Sequence, residues 1–154
     1  MMRMLALALI VPTTLHAEPS PAPAPEASRA LDFGIVFAGV PCAVSPADSG
    51  AALWVVRGVR GSQVSVTFTS LPGFLAQGAQ ALAVAFDSLS AAWSTTEDPA
   101  TATSFDPTVG TCATIDEGSD RLYVWLGGTA VPARTTTAGD YSTAFVLDVS
   151  YARP

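Results

Sequence analysis

Carboxylates are the side chains of this sequence with the most evident potential for chemistry. The acidic candidates in the C-terminal half are Glu97, Asp98, Asp106, Asp116, Glu117 and Asp120. A glycoside hydrolase needs two carboxylates that face each other across a cleft. Sequence spacing does not establish facing, so the alternative interpretation, solvated charges on loops, stays open.

Other catalytic chemistries are excluded by the residue types that the chain lacks. Its single histidine, His16, lies in a stretch that we expect to be removed, and the sequence contains no lysine. A mature chain without histidine forms no Ser-His-Asp or Cys-His group and no histidine-ligated metal site. Without lysine, Schiff-base and Ser-Lys mechanisms are also excluded. What remains is carboxylate chemistry, and we expect no cofactor.

The run D-E-G-S-D at residues 116–120 contains hard oxygen ligands of the kind that Ca²⁺ prefers. It lacks the length and the ligand order of an EF-hand loop. Solvated loop charge is the simpler interpretation, and we assign no metal site.

Three tryptophans could form a platform that stacks on the apolar faces of sugars. Trp54 and Trp125 lie inside predicted strands, where packing in the core or on a sheet face is the simpler interpretation. Trp93 lies at the start of residues 91–110, which we interpret as a long irregular loop. Trp93 is therefore the better candidate for ligand binding.

Residues 1–17 are typical of a secretory signal peptide, and an amphipathic helix is the alternative. Arg3 gives a positive start, and the apolar run at 4–11 is far shorter than the ~20 residues that span a bilayer. We expect no membrane span and an exported protein located in the periplasm, at the cell surface or outside the cell. Residues 18–29, in which prolines alternate with small residues, predict an extended or disordered spacer.

Charge and cysteine content add two expectations. The net charge of −6 argues against nucleic acid and anionic membrane as partners, since both attract basic patches. Cys42 and Cys112 are the only cysteines, and two cysteines in an exported chain favour a disulfide, with two buried free thiols as the alternative.

Residues 30–154 predict one all-β domain. Apolar residues recur with period two in short runs separated by Gly, Pro, Ser and Asp. The predicted strands are 31–38, 50–57, 62–70, 80–87, 121–127 and 141–151. Residues 75–92 are rich in alanine and could also be helical. Seven or so short strands favour a two-sheet antiparallel sandwich.

Three motifs occur in a familiar order: L-D-F-G at 31–34, L-Y-V-W-L-G-G-T at 122–129, and A-G-D-Y-S-T-A-F-V-L-D-V-S-Y at 138–151. Together with the run A-A-L-W-V-V-R-G-V-R-G-S-Q-V-S-V-T-F at 51–68, they resemble the bacterial exported family called domain of unknown function 4402. That family resembles in turn the spore coat U domain and the pilins of archaic chaperone–usher systems. The resemblance implies an immunoglobulin-like sandwich at the cell surface or in fimbriae, without known catalysis. The motif positions to which we give structural roles are Leu31, Phe33, Gly34, Gly127, Gly128, Gly139, Tyr141 and Tyr151.

Two of these positions suggest how the last strand begins. Gly139 permits the turn into it. The hydroxyl of Tyr141 is expected to bond back to loop backbone, as in the tyrosine corner of sandwich folds.

The resemblance and the residues differ on self-assembly. Pilins of that kind complete a neighbour's sheet with an N-terminal arm of alternating apolar residues, whereas the prolines of 18–29 remove ladder donors. The alternating segment here is 141–151, so we predict that it completes its own sandwich. Residues 30–154 would then fold as a soluble monomer without 18–29.

The sequence therefore favours an exported, non-enzymatic surface or fimbria-like domain with a structural or adhesion role. Its expected partners are other surface or fimbrial proteins or glycans. The alternative is a secreted carbohydrate- or surface-binding module that uses Trp93 and residues 91–110.

Overall fold

A computed structural model describes residues 21–153 of the chain. The expected signal peptide and residues 18–20 of the expected spacer lie outside this range. Within it the fold is all-β with antiparallel pairing, and the helical content is a single 3₁₀ turn at Pro99–Thr101. No helix between residues 21 and 153 has the length and apolarity needed to cross a membrane.

The strands in chain order are β1 (Ala24–Arg29), β2 (Cys42–Val44), β3 (Ala52–Arg57), β4 (Gln63–Thr69), β5 (Phe74–Gln77), β6 (Gln80–Ala85), β7 (Ala91–Ser94), β8 (Thr103–Phe105), β9 (Thr111–Thr114), β10 (Arg121–Leu126), β11 (Gly128–Val131) and β12 (Val146–Tyr151). They form three sheets. Sheet A has the order β1-β3-β10-β7-β8, sheet B the order β2-β11-β6-β5, and sheet C the order β12-β4-β9.

The main core lies between sheets A and C. Alternate residues of each strand point to the same side of a sheet, so the period-two runs place one apolar row per strand in this core. The buried rows are Ala52, Trp54 and Val56 in β3, Val64 and Val66 in β4, Leu122, Val124 and Leu126 in β10, and Leu147 and Val149 in β12. This packing is consistent with a β-sandwich.

Strand β10 is buried on both faces. Tyr123 and Trp125, which alternate with the main-core residues, pack on the other side of sheet A with Leu53. A central strand covered on both sides reads as a continuous apolar run, which explains the sequence L-Y-V-W-L.

The same run continues into sheet B through Gly127. The Gly127 N–H donates to the Ser90 carbonyl oxygen at 2.7 Å. A Cβ on Gly127 would overlap the Val44 carbonyl oxygen of β2, so a glycine is required where the chain leaves one sheet and enters the next.

The expected spacer is corrected for residues 24–29. They form β1, which pairs with β3 in the register Ala24↔Arg57 to Arg29↔Leu53, and Pro25 lies opposite Val56. β1 is an edge strand of sheet A, and an edge tolerates proline because a missing N–H on its solvent side breaks no ladder bond. Its side chains are exposed, so small and polar residues suit it.

Three predicted strands or loops also differ from the structure. Residues 31–38 form no strand, because the positive φ at Gly34 and the Asp32 side chain, which accepts from the Gly34 N–H, turn the chain there. Residues 91–110 are not one irregular loop but contain β7, the 3₁₀ turn and β8. Within 141–151 the strand begins at Val146, and β12 lies at an edge of sheet C.

The predicted disulfide is wrong. Cys42 lies in β2 of sheet B and Cys112 in β9 of sheet C, and both cysteines are free. The Cys42 thiol donates to the Phe33 carbonyl oxygen at 3.6 Å, whereas Cys112 is exposed. The period-two pattern does not show which sheet a strand joins, so counting cysteines could not reveal this separation.

Removal of β1 is expected to destabilise the domain, contrary to the expectation from the sequence. A chain of residues 30–154 leaves the edge of β3 unpaired, and it loses the bond that Tyr151 Oη donates to the Pro21 carbonyl oxygen. Because each ladder hydrogen bond contributes about 1 kcal/mol, we expect a loss of at least ~1 kcal/mol in unfolding free energy, together with self-association at the open edge. Urea unfolding and light scattering of residues 18–154 and 30–154 measure both. The prediction would be contradicted if both chains had the same unfolding free energy and residues 30–154 were monomeric.

Candidate binding site

A groove of about 640 Å³ lies over one face of sheet B. Its floor comes from strands whose apolar residues meet across the sheet. Leu82 lies opposite Leu75, and Val84 lies opposite Ala130. Since Leu82 and Val84 are two residues apart in β6, they share the face that lines the groove.

The first wall is the segment 30–38, which follows β1. The Asp32 N–H donates to the Gly50 carbonyl oxygen at 2.8 Å, which holds the start of this wall against the chain before β3. Phe33 and Val36 pack on sheet B, whereas Ile35 and Phe37 remain 85% and 69% exposed. The wall therefore presents large apolar side chains both to the groove and to solvent.

The second wall is the segment 136–145, which precedes β12. Ser142 and Ala76 exchange two backbone hydrogen bonds of 3.0 Å, so the segment is joined to the edge of β5. Tyr141 Oη donates to the Thr137 carbonyl oxygen at 2.8 Å, a bond back to loop backbone. A Cβ on Gly139 would overlap the side-chain amide of Gln77, the last residue of β5, so a larger residue there would require that flexible side chain to move.

Most motif positions found in the sequence are brought together here. Those that line the groove are Leu31, Phe33, Gly34, Gly139 and Tyr141. Gly128 lies beside Phe86, another lining residue, and Gly127 joins sheets A and B. Tyr151 lies elsewhere: its hydroxyl accepts from the Val59 N–H at 3.0 Å and donates to the Pro21 carbonyl oxygen at 2.9 Å.

Within the described part of the chain, two charged side chains line the groove, the carboxylates of Asp32 and Asp140, and both residues are exposed. Arg134, which does not line the groove, has its aliphatic stem against Gly39 beyond the first wall. The groove is therefore apolar at its base and negatively charged at its rim.

No protein-family model, curated protein or solved structure matches this chain.

Sequence reasoning did not find the exposed apolar side chains of the first wall or Asp140. The run I-V-F-A at 35–38 lies within the predicted strand 31–38. The available signal was its flanking glycines, Gly34 and Gly39, both of which have positive φ. Two such glycines around a short apolar run indicate a shaped loop rather than a strand.

The tryptophans lie on different faces and do not form one platform. Trp54 and Trp93 pack in or against the main core, and Trp54 makes edge-to-face contacts with Phe68 and Phe145 at centroid distances of 5.6 and 5.7 Å. Trp125 stacks on Tyr123 on the opposite face of sheet A. Trp93 therefore keeps only part of its surface for a ligand.

The acidic candidates lie in turns away from the groove. Asp98 accepts from the Ala100 N–H and caps the 3₁₀ turn, whereas Asp116 and Glu117 follow β9. Between residues 21 and 153, no group of three or more His, Cys, Asp or Glu side chains could hold a metal ion. The hydrogen bond that Asp98 accepts stabilises the start of the 3₁₀ turn.

Asp106 gives a pH-dependent prediction. Its carboxylate accepts from the Thr108 hydroxyl at 2.6 Å and from the Thr108 N–H at 2.8 Å, and these bonds lower the pKa of Asp106 below its usual 3.8. A lowered folded-state pKa means that the stabilisation is present above pH 3.8 and is lost as the pH falls through the folded-state value. We expect the Thr108 amide resonance to titrate with a midpoint below pH 3.8 in an NMR pH series. Asp106→Asn should abolish the titration, and a midpoint at or above 3.8 would contradict the prediction.

Proposed function

We propose that this chain is an exported, non-enzymatic surface or fimbria-like domain with a structural or adhesion role, and that it binds its partner in the groove over sheet B. The observation that carries the proposal is the groove itself. An apolar cavity of about 640 Å³ is lined by Phe37, which is 69% exposed, and Ile35 of the same wall does not line it and is 85% exposed. Contiguous exposed apolar surface is typical of a binding site.

The polar atoms around the groove favour binding over catalysis. Asp32 Oδ1 accepts from the Gly34 N–H at 2.7 Å, and Tyr141 Oη donates to the Thr137 carbonyl oxygen. Both bonds hold the walls in place. Tyr141 Oη also lies 3.2 Å from the Thr137 hydroxyl, but within residues 21–153 neither Asp32 nor Tyr141 has a hydrogen bond to a second carboxylate or a cysteine of the kind that general acid–base or nucleophilic catalysis uses.

We also propose an immunoglobulin-like topology for the domain. The motif order supports it, as does the packing of sheet A on sheet C around one apolar core. The bond from Tyr141 back to Thr137 resembles the tyrosine corner of such sandwiches.

A glycan-binding module is the second candidate, with Trp93 as its contact residue. The packing of Trp93 against the main core favours it less than the groove does. Sugar binding also needs several polar partners around the stacked ring. The base of the groove instead offers apolar side chains, among them Leu82 and Val84.

The test compares two double variants of the full chain in a bacterial host with an outer envelope. Ile35→Asp with Phe37→Asp changes the two exposed apolar residues of the first wall, of which Phe37 lines the groove. Leu89→Asp with Val109→Asp changes two apolar residues that are 66% and 76% exposed and do not line the groove. All four side chains are largely exposed, so neither variant should disturb the core.

Cell fractionation and immunogold labelling measure where each protein goes. We expect the wild-type chain and the control to stay at the cell surface or on filaments, and the groove variant to be exported and then released into the medium. A wild-type chain that remains in the cytoplasm would overturn the export part of the proposal. A groove variant retained like the wild type would overturn the role of the groove.

A further inference from the structure

We propose that the groove binds a small molecule with an apolar body and one positively charged head, and that Asp32 and Asp140 hold the head at the rim. This inference rests on the proposed function, because it names the ligand class of the same groove. It is independent of any enzymatic reaction.

The apolar body follows from the floor and walls. Leu82, Val84 and Ala130 are buried at the base of the groove, and aromatic rings stand on its two walls. The rings belong to Phe33, Phe37, Tyr141 and Phe145. A volume of about 640 Å³ falls within the range of cavities that enclose small organic ligands.

The positive head follows from the charges. Both carboxylates that line the groove are exposed, so they lie at its rim, and no arginine of residues 21–153 lines it. The only ion pair between residues 21 and 153 joins Arg121 and Asp120, so neither Asp32 nor Asp140 is held in a direct ion pair there. Aromatic rings next to these carboxylates add favourable cation–π contacts for a cationic head.

The same charges disfavour a second copy of the chain as the occupant. Two copies joined through this groove would bring the carboxylates of both rims together, and each chain has a net charge of −6. Like charges placed opposite each other across an interface weaken association. An anionic amphiphile is disfavoured for the same reason.

The experiment uses three probes that share a decyl chain and differ in the head. Decyltrimethylammonium is cationic, decyl maltoside is neutral and decyl sulfate is anionic. Isothermal titration calorimetry of the full chain, at pH 7, low salt and far below the micelle concentrations, measures their affinities. NMR shifts of Leu82, Val84 and Tyr141 locate the binding.

We expect decyltrimethylammonium to bind at least about tenfold more tightly than decyl sulfate, since two exposed carboxylates each contribute a modest attraction for one head and repel the other. Asp140→Asn should weaken the binding of decyltrimethylammonium by about three- to fivefold and leave the affinity for decyl maltoside unchanged. Asp148→Asn, an equal change of charge on an exposed strand residue outside the groove, should have no effect. High salt should reduce the preference for the cation.

The outcomes separate the two proposals. Equal binding of all three heads, a cation preference that survives Asp140→Asn, or shifts outside the groove would overturn the inference. Absence of binding by every probe would also overturn it, and the proposed function would stand if the Ile35→Asp, Phe37→Asp variant still lost surface retention. Cation-selective binding with unchanged surface retention of that variant would overturn the proposed function instead.

Discussion

Replacement of Gly127 with alanine is expected to lower the free energy of unfolding by about 3 kcal/mol or more. The new Cβ would overlap the Val44 carbonyl oxygen and crowd the backbone of Ser45. Both obstacles are main-chain atoms, and Val44 is paired with Gly128 in sheet B. The clash can therefore be relieved only by moving β2 away from β11, which would break ladder hydrogen bonds.

The matched control is Gly73→Ala. A Cβ on Gly73 meets no atom within 4 Å, and its backbone does not have a positive φ. We expect its free energy of unfolding to change by no more than ~0.5 kcal/mol. Urea denaturation followed by far-UV circular dichroism measures both variants. Equal stability of the two alanine variants would show that the backbones of Gly127 and Val44 are not in the close contact described.

Trp54→Ala is expected to cost about 3–5 kcal/mol of unfolding free energy, because it removes the largest side chain of β3 from the main core. Trp54 is 8% exposed and lies between sheets A and C, where its ring meets Phe68 of β4 and Phe145 before β12. The two edge-to-face contacts add to the area that the ring buries. The cavity left behind would lie between the two sheets. The sheets cannot collapse into it without losing other packing contacts.

Trp54→Phe should cost less, since most of the apolar volume is kept. Val109→Ala serves as the control, because Val109 is 76% exposed and its loss should be nearly neutral. Denaturant unfolding, followed by the intrinsic fluorescence of Trp93 and Trp125, measures the unfolding free energies of the three variants. A Trp54→Ala variant as stable as the control would show that sheets A and C do not pack through this residue.

These two sites were visible in the sequence to different degrees. The strand containing Trp54 is predicted at 50–57, with packing in the core or on a sheet face as the simpler interpretation of its ring, and the structure buries Trp54 together with Ala52 and Val56. Gly127 was selected by its motif. A glycine is needed there because the backbone of another strand, at Val44, leaves no room for a Cβ. Contacts between segments far apart in the chain leave no mark on local periodicity.

The candidate groove shows the same division. Leu31, Phe33, Gly34, Gly139 and Tyr141 were selected by their motifs, and all five line it. Trp93 and the acidic candidates were selected by their chemistry, and none of them lies there. A groove is a space between segments, so it exists only once 30–38 and 136–145 are placed on the same face of sheet B.

The sequence by itself determined that this protein is all-β and that the alternating runs at 62–70, 80–87 and 121–127 are strands, because a period of two is a property of each strand alone. Tertiary structure decided what depends on pairing. It placed residues 24–29 in sheet A, where an edge position accommodates proline. It assigned Cys42 and Cys112 to separate sheets, which leaves them unbonded. It also turned an apolar run into a groove wall, because two glycines and the Asp32 side chain bend the chain out of extended conformation.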